Sequence, residues 1–201
     1  MKRFMLFFVL FSTLLIACEP NNPNGGSSDE NGDQYPVVSA DDYYWYKGNK
    51  IYLERGNQEY IIYDDALLSE IDKQKLEISE SDSYLEESNL KWGITKPNTV
   101  IEDLEHVLYR MPSYTSEGTN FFVTHSFHVK LKDSDDLPIL QNMAEQYNVK
   151  IAKEGAFPLW YVLVCNLPSS SNALDIANRF YESGKFAVSE PNFMGGLVLH
   201  N

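Results

Sequence analysis

His125 and His128 stand three residues apart, a spacing that on a helix would offer two metal ligands to one ion. Their surroundings read as a strand. Phe121, Val123, Phe127, Val129 and Leu131 share one parity, so the two imidazoles point to opposite faces and cannot readily meet at one metal. His125 keeps the parity of the apolar set and is expected to be a core histidine. His106, beside Glu102 and Glu105, is expected in a solvated charge pair on a helix. Asp64-Asp65 and Asp133/Asp135/Asp136 fall where helices should start, and capping accounts for them. Cys165 closes the apolar run Trp160–Cys165 and is expected as a buried, inert thiol. No Gly-rich phosphate loop and no Cys–His cluster occurs. The residues argue against an enzyme and require no metal and no cofactor.

Aromatic residues suggest another kind of chemistry. The chain has 13 Tyr, 11 Phe and 3 Trp, and Tyr43-Tyr44-Trp45-Tyr46 could stack on a glycan or a partner if exposed. Alternating burial on a strand accounts for half of that run without a ligand.

The elements that would position these residues are clearest in the last 80 positions. After the strand carrying Phe121 to Leu131, Ser134-Asp135 can cap a helix with Leu137, Leu140, Ala144 and Tyr147 on one stripe. Val149-Lys150-Ile151 is a short strand, and Trp160–Cys165, apolar on both parities, suits a central one. Asn172 to Ser183 is a second helix with Gly184 as its cap; Phe186 to Ser189 is the last strand, stopped by Pro191. The order is β-α-β-β-α-β, the ferredoxin-like arrangement. Upstream, Gly48-Asn49 and Gly56-Asn57 are expected as turns between aromatic strands. The order then repeats more faintly. Tyr60–Tyr63 is a strand, residues 66–71 a helix, and Leu76–Ile78 and Leu90–Ile94 strands. A capping box at Thr99–Glu102 opens a helix carrying Ile101, Leu104 and Leu108. Two ferredoxin-like units in tandem, or one larger α+β domain with an irregular first half, both fit an α+β class.

Residues 1–17 read as a secretory signal: Lys2 and Arg3 precede an apolar run from Met5 to Ile16, too short to span a bilayer. Leu15-Ile16-Ala17-Cys18 resembles the lipobox of bacterial lipoproteins, which implies a lipid on Cys18 and a place in the cell envelope, as an outer membrane lipoprotein either periplasmic or surface-exposed. Residues 18–35 form a polar tether with nothing to bury. The formal charge is −13, and −15 once Lys2 and Arg3 are removed, which disfavours nucleic acid and anionic headgroups. Membrane contact then depends on the lipid. Cys165, the only other cysteine, has no disulfide partner if Cys18 is lipidated.

Tyr43–Leu53, Phe127–Leu131, Pro158–Cys165 and above all Asn172–Met194 (NALDIANRFYESGKFAVSEPNFM) resemble the amino-terminal propeptides of subtilisin-like serine peptidases of Bacteroidetes. The resemblance covers most of residues 43–194. It carries no catalytic landmark: Asp-Thr-Gly, His-Gly-Thr and Gly-Thr-Ser are all missing. It implies a ferredoxin-like fold of propeptide-inhibitor type, a subtilisin-like peptidase as partner, and a tail that enters the substrate cleft. Here that tail is expected at Leu197, Val198, Leu199, His200 and Asn201. The expected divisions are 36–116 (hairpins and a first α+β unit), 117–194 (a ferredoxin-like unit) and 195–201 (the tail). An adhesion or glycan-binding lipoprotein, or a truncated peptidase precursor without activity, are the alternatives.

Overall fold

The computed structural model describes residues 42–81, 84–85, 87–116, 119–169 and 171–195. The fold is α+β and mostly sheet. It opens with a hairpin of β1 (Tyr43–Tyr46) and β2 (Asn49–Tyr52). Tyr46 pairs with Asn49, so the turn residues are Lys47 and Gly48, both at positive φ (48° and 84°). That is the type I′ pattern, whose twist matches the flanking strands. The turn falls one residue earlier than the sequence placed it.

The chain continues through β3 (Glu54–Asp64), α1 (Glu70–Lys73), β4 (Leu76–Glu80), β5 (Leu90–Thr95) and β6 (Val107–Ser116). Then follow β7 (Thr119–Lys130), α2 (Leu137–Gln146), β8 (Val149–Glu154), β9 (Trp160–Cys165), α3 (Ala173–Glu182) and β10 (Val188–Gly195). β3 to β10 form one antiparallel sheet. Its first half runs β4-β5-β3-β6. Its second half runs β8-β9-β7-β10, the same order with each strand number raised by four. The expected turn at Gly56-Asn57 is a bulge inside β3 instead, because pairing with β6 continues on both sides of it. A Cβ on Gly56 would lie 2.3 Å from Ser113 Oγ, so the close approach at this bulge requires glycine.

β7 joins the halves. β10 pairs with it from Phe121 to Lys130, occupying one edge. β6 pairs at residues 119–122 and β9 at 126–130. Both overlap β10 along β7, so both must lie on the opposite edge, and the sheet forks between them. Pro112, which lacks an N–H, is the residue of β6 just before its pairing with β7 begins. Residues 124–126 of β7 face only Asn192 of β10.

The helices cover one face of the second half. Phe180 of α3 lies 5.3 Å edge-on to Phe127 and 5.4 Å stacked on Phe186. Leu140, Met143 and Ala144 of α2 are buried against the same core as Val149, Leu163 and Cys165. Asp133, not Ser134-Asp135, supplies the cap before α2: its side chain accepts from Asp135 N–H. Asn172 caps α3, and Gly184 at φ 66° ends it. Pro191 does not stop the last strand. It lies inside β10 opposite Phe127, on an edge strand where a missing N–H is tolerated.

The first half departs further from expectation. Ile61, Tyr63, Leu68, Ile101 and Val107 make a second, smaller core. The helix expected over 66–71 is the single turn of α1, capped by Ser69, because Asp64 Oδ1 takes Ala66 N–H into a tight turn first. No helix opens at the Thr99–Glu102 box. Buried Asp72 accepts from the N–H groups of Glu102 and Asp103, holding that segment extended until a short 3-10 turn at Leu104–His106. Leu108 belongs to β6.

Candidate functional site

β10 brings the chain to Gly195, which pairs with Phe121 at φ 105°; a Cβ there would meet Asn120 O at 3.0 Å. Just before it, Phe193 lies between Tyr44 and Phe121, with ring centroids 4.9 Å and 5.5 Å away. Tyr44 reaches this place because its hairpin is fastened to α3. Glu182 accepts from Tyr43 Oη (2.7 Å) and Trp45 Nε1 (3.1 Å), and Asn178 Nδ2 donates to Tyr43 O (2.7 Å). These hydrogen bonds, with Lys50 nearby, hold the Glu182 carboxyl below its usual range despite the opposing effect of burial. The aromatic run 43–46 therefore serves packing: Tyr44 is buried, and Trp45 stacks on Tyr181. The expected tail, Leu197–Asn201, and the expected lipid site, Cys18, lie outside the described residues.

The face of the second half turned away from α2 and α3 follows from register. Phe127, Val129 and Leu163 face the helices. Their neighbours Ser126, His128, Lys130, Trp160, Val162, Val164, Lys150 and Lys153 therefore face the other way, with Glu190 opposite His128. Three lysines on this face, beside Glu190, contrast with the acidity of the whole chain. Lys130 Nζ sits 5.8 Å from the Trp160 ring centroid, and Lys153 Nζ 5.1 Å from that of Tyr84. Burial, and then nearby Lys153, hold the His128 imidazole below the usual histidine range; burial raises the Glu190 carboxyl.

No protein-family model, no characterised protein and no solved structure matches this chain. Function must therefore be argued from its own residues.

His125 sits at the fork, 1 % exposed, with Nδ1 3.3 Å from Tyr60 Oη and its ring 6.3 Å from that of Tyr109. Tyr109 Oη accepts from Ala173 N–H and donates to Thr124 O, tying α3 to β6 and β7. The sequence placed His125 in the core but could not show that the core there is a fork. A cleft of about 470 Å³ opens beside it, lined in part by Asp64, Glu87, Lys150, Val164 and Cys165. The presence of a histidine and a cysteine on one cleft raises the question of a thiolate nucleophile. Burial pushes the Cys165 thiol up to about 12, opposed by a contact with Ser169, so at neutral pH it stays protonated and unreactive. His128 is on the opposite sheet face, and among the described residues no three His, Cys, Asp or Glu side chains could hold a metal. His106 lies near Asp103 (3.9 Å) rather than beside Glu102 or Glu105 on a helix. Asp133 caps as expected; Asp64 closes a turn instead of opening a helix, and Asp65 pairs with Lys91 (2.6 Å).

Proposed function

We propose that this chain is a lipid-anchored envelope protein that binds a subtilisin-like serine peptidase in trans, as a propeptide does, and performs no catalysis itself. Residues 121–193 are read as a ferredoxin-like βαββαβ unit of propeptide-inhibitor type, and residues 58–115 as a tandem unit that keeps its strand order with the single-turn α1 and a 3-10 turn in place of the two helices. The carrying observation is the strand order β8-β9-β7-β10 with both helices on one face and β10 leading directly to the tail. The resemblance of residues 43–194 supplies the partner class.

In this reading the face bearing Lys130, His128, Trp160 and Lys153 lies on the peptidase, and Leu197–Asn201 enter its substrate cleft. A preformed sheet loses little freedom on docking, and an extended tail adds strand pairing. Roughly 800 Å² per partner suffices for a stable complex of this kind. A lipid on Cys18 would hold the binder at the envelope, with the tether giving reach.

The test is recovery of a complex. Full-length protein extracted from envelope membranes should copurify with a subtilisin-like peptidase, and Lys130→Glu with Trp160→Ala should abolish the association. Extraction that yields no peptidase, or a complex indifferent to those two changes, would overturn the reading.

A further inference from the structure

We infer that the cleft between β5 and β10 is a binding site for a neutral sugar ring. It has a volume of about 460 Å³ and is lined by Tyr60, Ser81, Trp92, Thr124, Asn192, Phe193 and Met194. That volume lies in the range of small-ligand sites, roughly 300–1,000 Å³.

The character of the lining points to the ligand. Every described residue on it is uncharged, although the chain carries 29 acidic and 16 basic side chains. An uncharged lining favours a neutral ligand over an ion. Neutral hydroxyls and an amide beside a flat aromatic ring suit a pyranose instead. Its C–H face packs on the ring, and its hydroxyls exchange hydrogen bonds with uncharged partners.

The groups are also held in place before any ligand arrives. Trp92 is half-buried and stacks on buried Tyr60, with centroids 5.9 Å apart and planes 23° apart. Asn192 occupies the irregular stretch where one residue of β10 faces three of β7. Its Nδ2 donates to Ser126 Oγ (3.1 Å), and its backbone carbonyl accepts from Thr124 Oγ1 (3.2 Å). Thr124 Oγ1 and Ser126 Oγ are 3.0 Å apart. The Nδ2 bond orients the side-chain amide, whose Oδ1 is an acceptor for a ligand hydroxyl. Preorganised polar groups bind with less ordering cost than mobile ones. Trp92 and Asn192 belong to different halves of the sheet, and the cleft lies where these halves meet.

The site stands apart from the peptidase reading, since none of Lys130, His128, Trp160 and Lys153 lines it and no described residue of its lining belongs to the tail. Its test is fluorine NMR of the full mature chain labelled with 5-fluorotryptophan, which gives separate signals for Trp45, Trp92 and Trp160. The probes are maltohexaose, cellohexaose and mannohexaose, with hexagalacturonate as the anionic counterpart. The Trp92 signal should shift with at least one neutral hexaose and less with the anionic one. Asn192→Ala should weaken that binding about tenfold while the Trp92 signal remains sharp, showing a folded cleft. Trp92→Phe should retain weaker binding, detected on the sugar resonances. If no neutral hexaose moves the Trp92 signal, if hexagalacturonate binds better, or if Asn192→Ala binds unchanged, the inference is wrong.

Discussion

Trp45 lies stacked on Tyr181, ring centroids 4.9 Å apart and planes inclined by 22°. The contact joins the first strand of the hairpin to the last turn of α3, across 136 residues of chain. It closes the fold on itself and holds Tyr44 over Phe193, two residues before the end of β10. Trp45→Ala should therefore cost about 2 kcal/mol, from lost burial and ring contact. Tyr52→Ala, at a residue 68 % exposed, should cost less than about 0.5 kcal/mol. Urea unfolding of the two variants checks both values.

Asp72 gives a pH dependence with a definite sign. Its carboxyl is buried, which alone would raise its pKa, but Lys75 (2.6 Å) and the N–H groups of Asp103 and Glu102 hold it below the usual range. A carboxylate depressed in the folded state adds stability that is present above its unfolded pKa, about 4, and lost as pH falls through the folded value. Asp72→Asn should cost about 2 kcal/mol at pH 7. Its difference from wild type should shrink below about pH 4, as followed by denaturant midpoints across that range.

Cys165 should behave as a silent thiol. With its pKa near 12, only about one molecule in ten thousand carries thiolate at pH 8. In a Cys18→Ala background, the folded protein should not react with a disulfide reagent over minutes, whereas denatured protein should react fully. Rapid labelling of folded protein would show that the fork cleft admits the reagent.

The second half was the more legible in sequence, and the reason is local. Phe127, Val129, Leu163, Leu140 and Phe180 repeat at the periods of the elements they occupy, and Asn172, Asp133 and Gly184 mark helix ends by ordinary capping. The strands of the first half were also legible, but its helices were not. Asp64 and Asp72 form side-chain to backbone bonds that compete with helix formation, and one of these joins residues 31 positions apart. Pattern reading has no access to such a bond. The same holds for the fork: nothing in the spacing of Tyr60, Trp92, His125 and Asn192 indicates that two branches of sheet meet there.

The lipid on Cys18 is checked directly. Cells fed an alkyne-tagged palmitate analogue should label the wild-type protein and leave Cys18→Ala unlabelled, with the variant released from the membrane fraction. Equal labelling of both would remove the anchor from the account.

The central claim is that the end of β10 feeds a tail into a peptidase cleft. Progress curves of a subtilisin-like peptidase, recorded with the full mature chain and with a chain ending at Gly195, measure this most directly. Slow-onset, active-site-directed inhibition by the full chain, weakened at least about tenfold by the truncation, is the predicted result. Unchanged substrate turnover in the presence of a molar excess of the full chain, across peptidases from the same envelope, would contradict it.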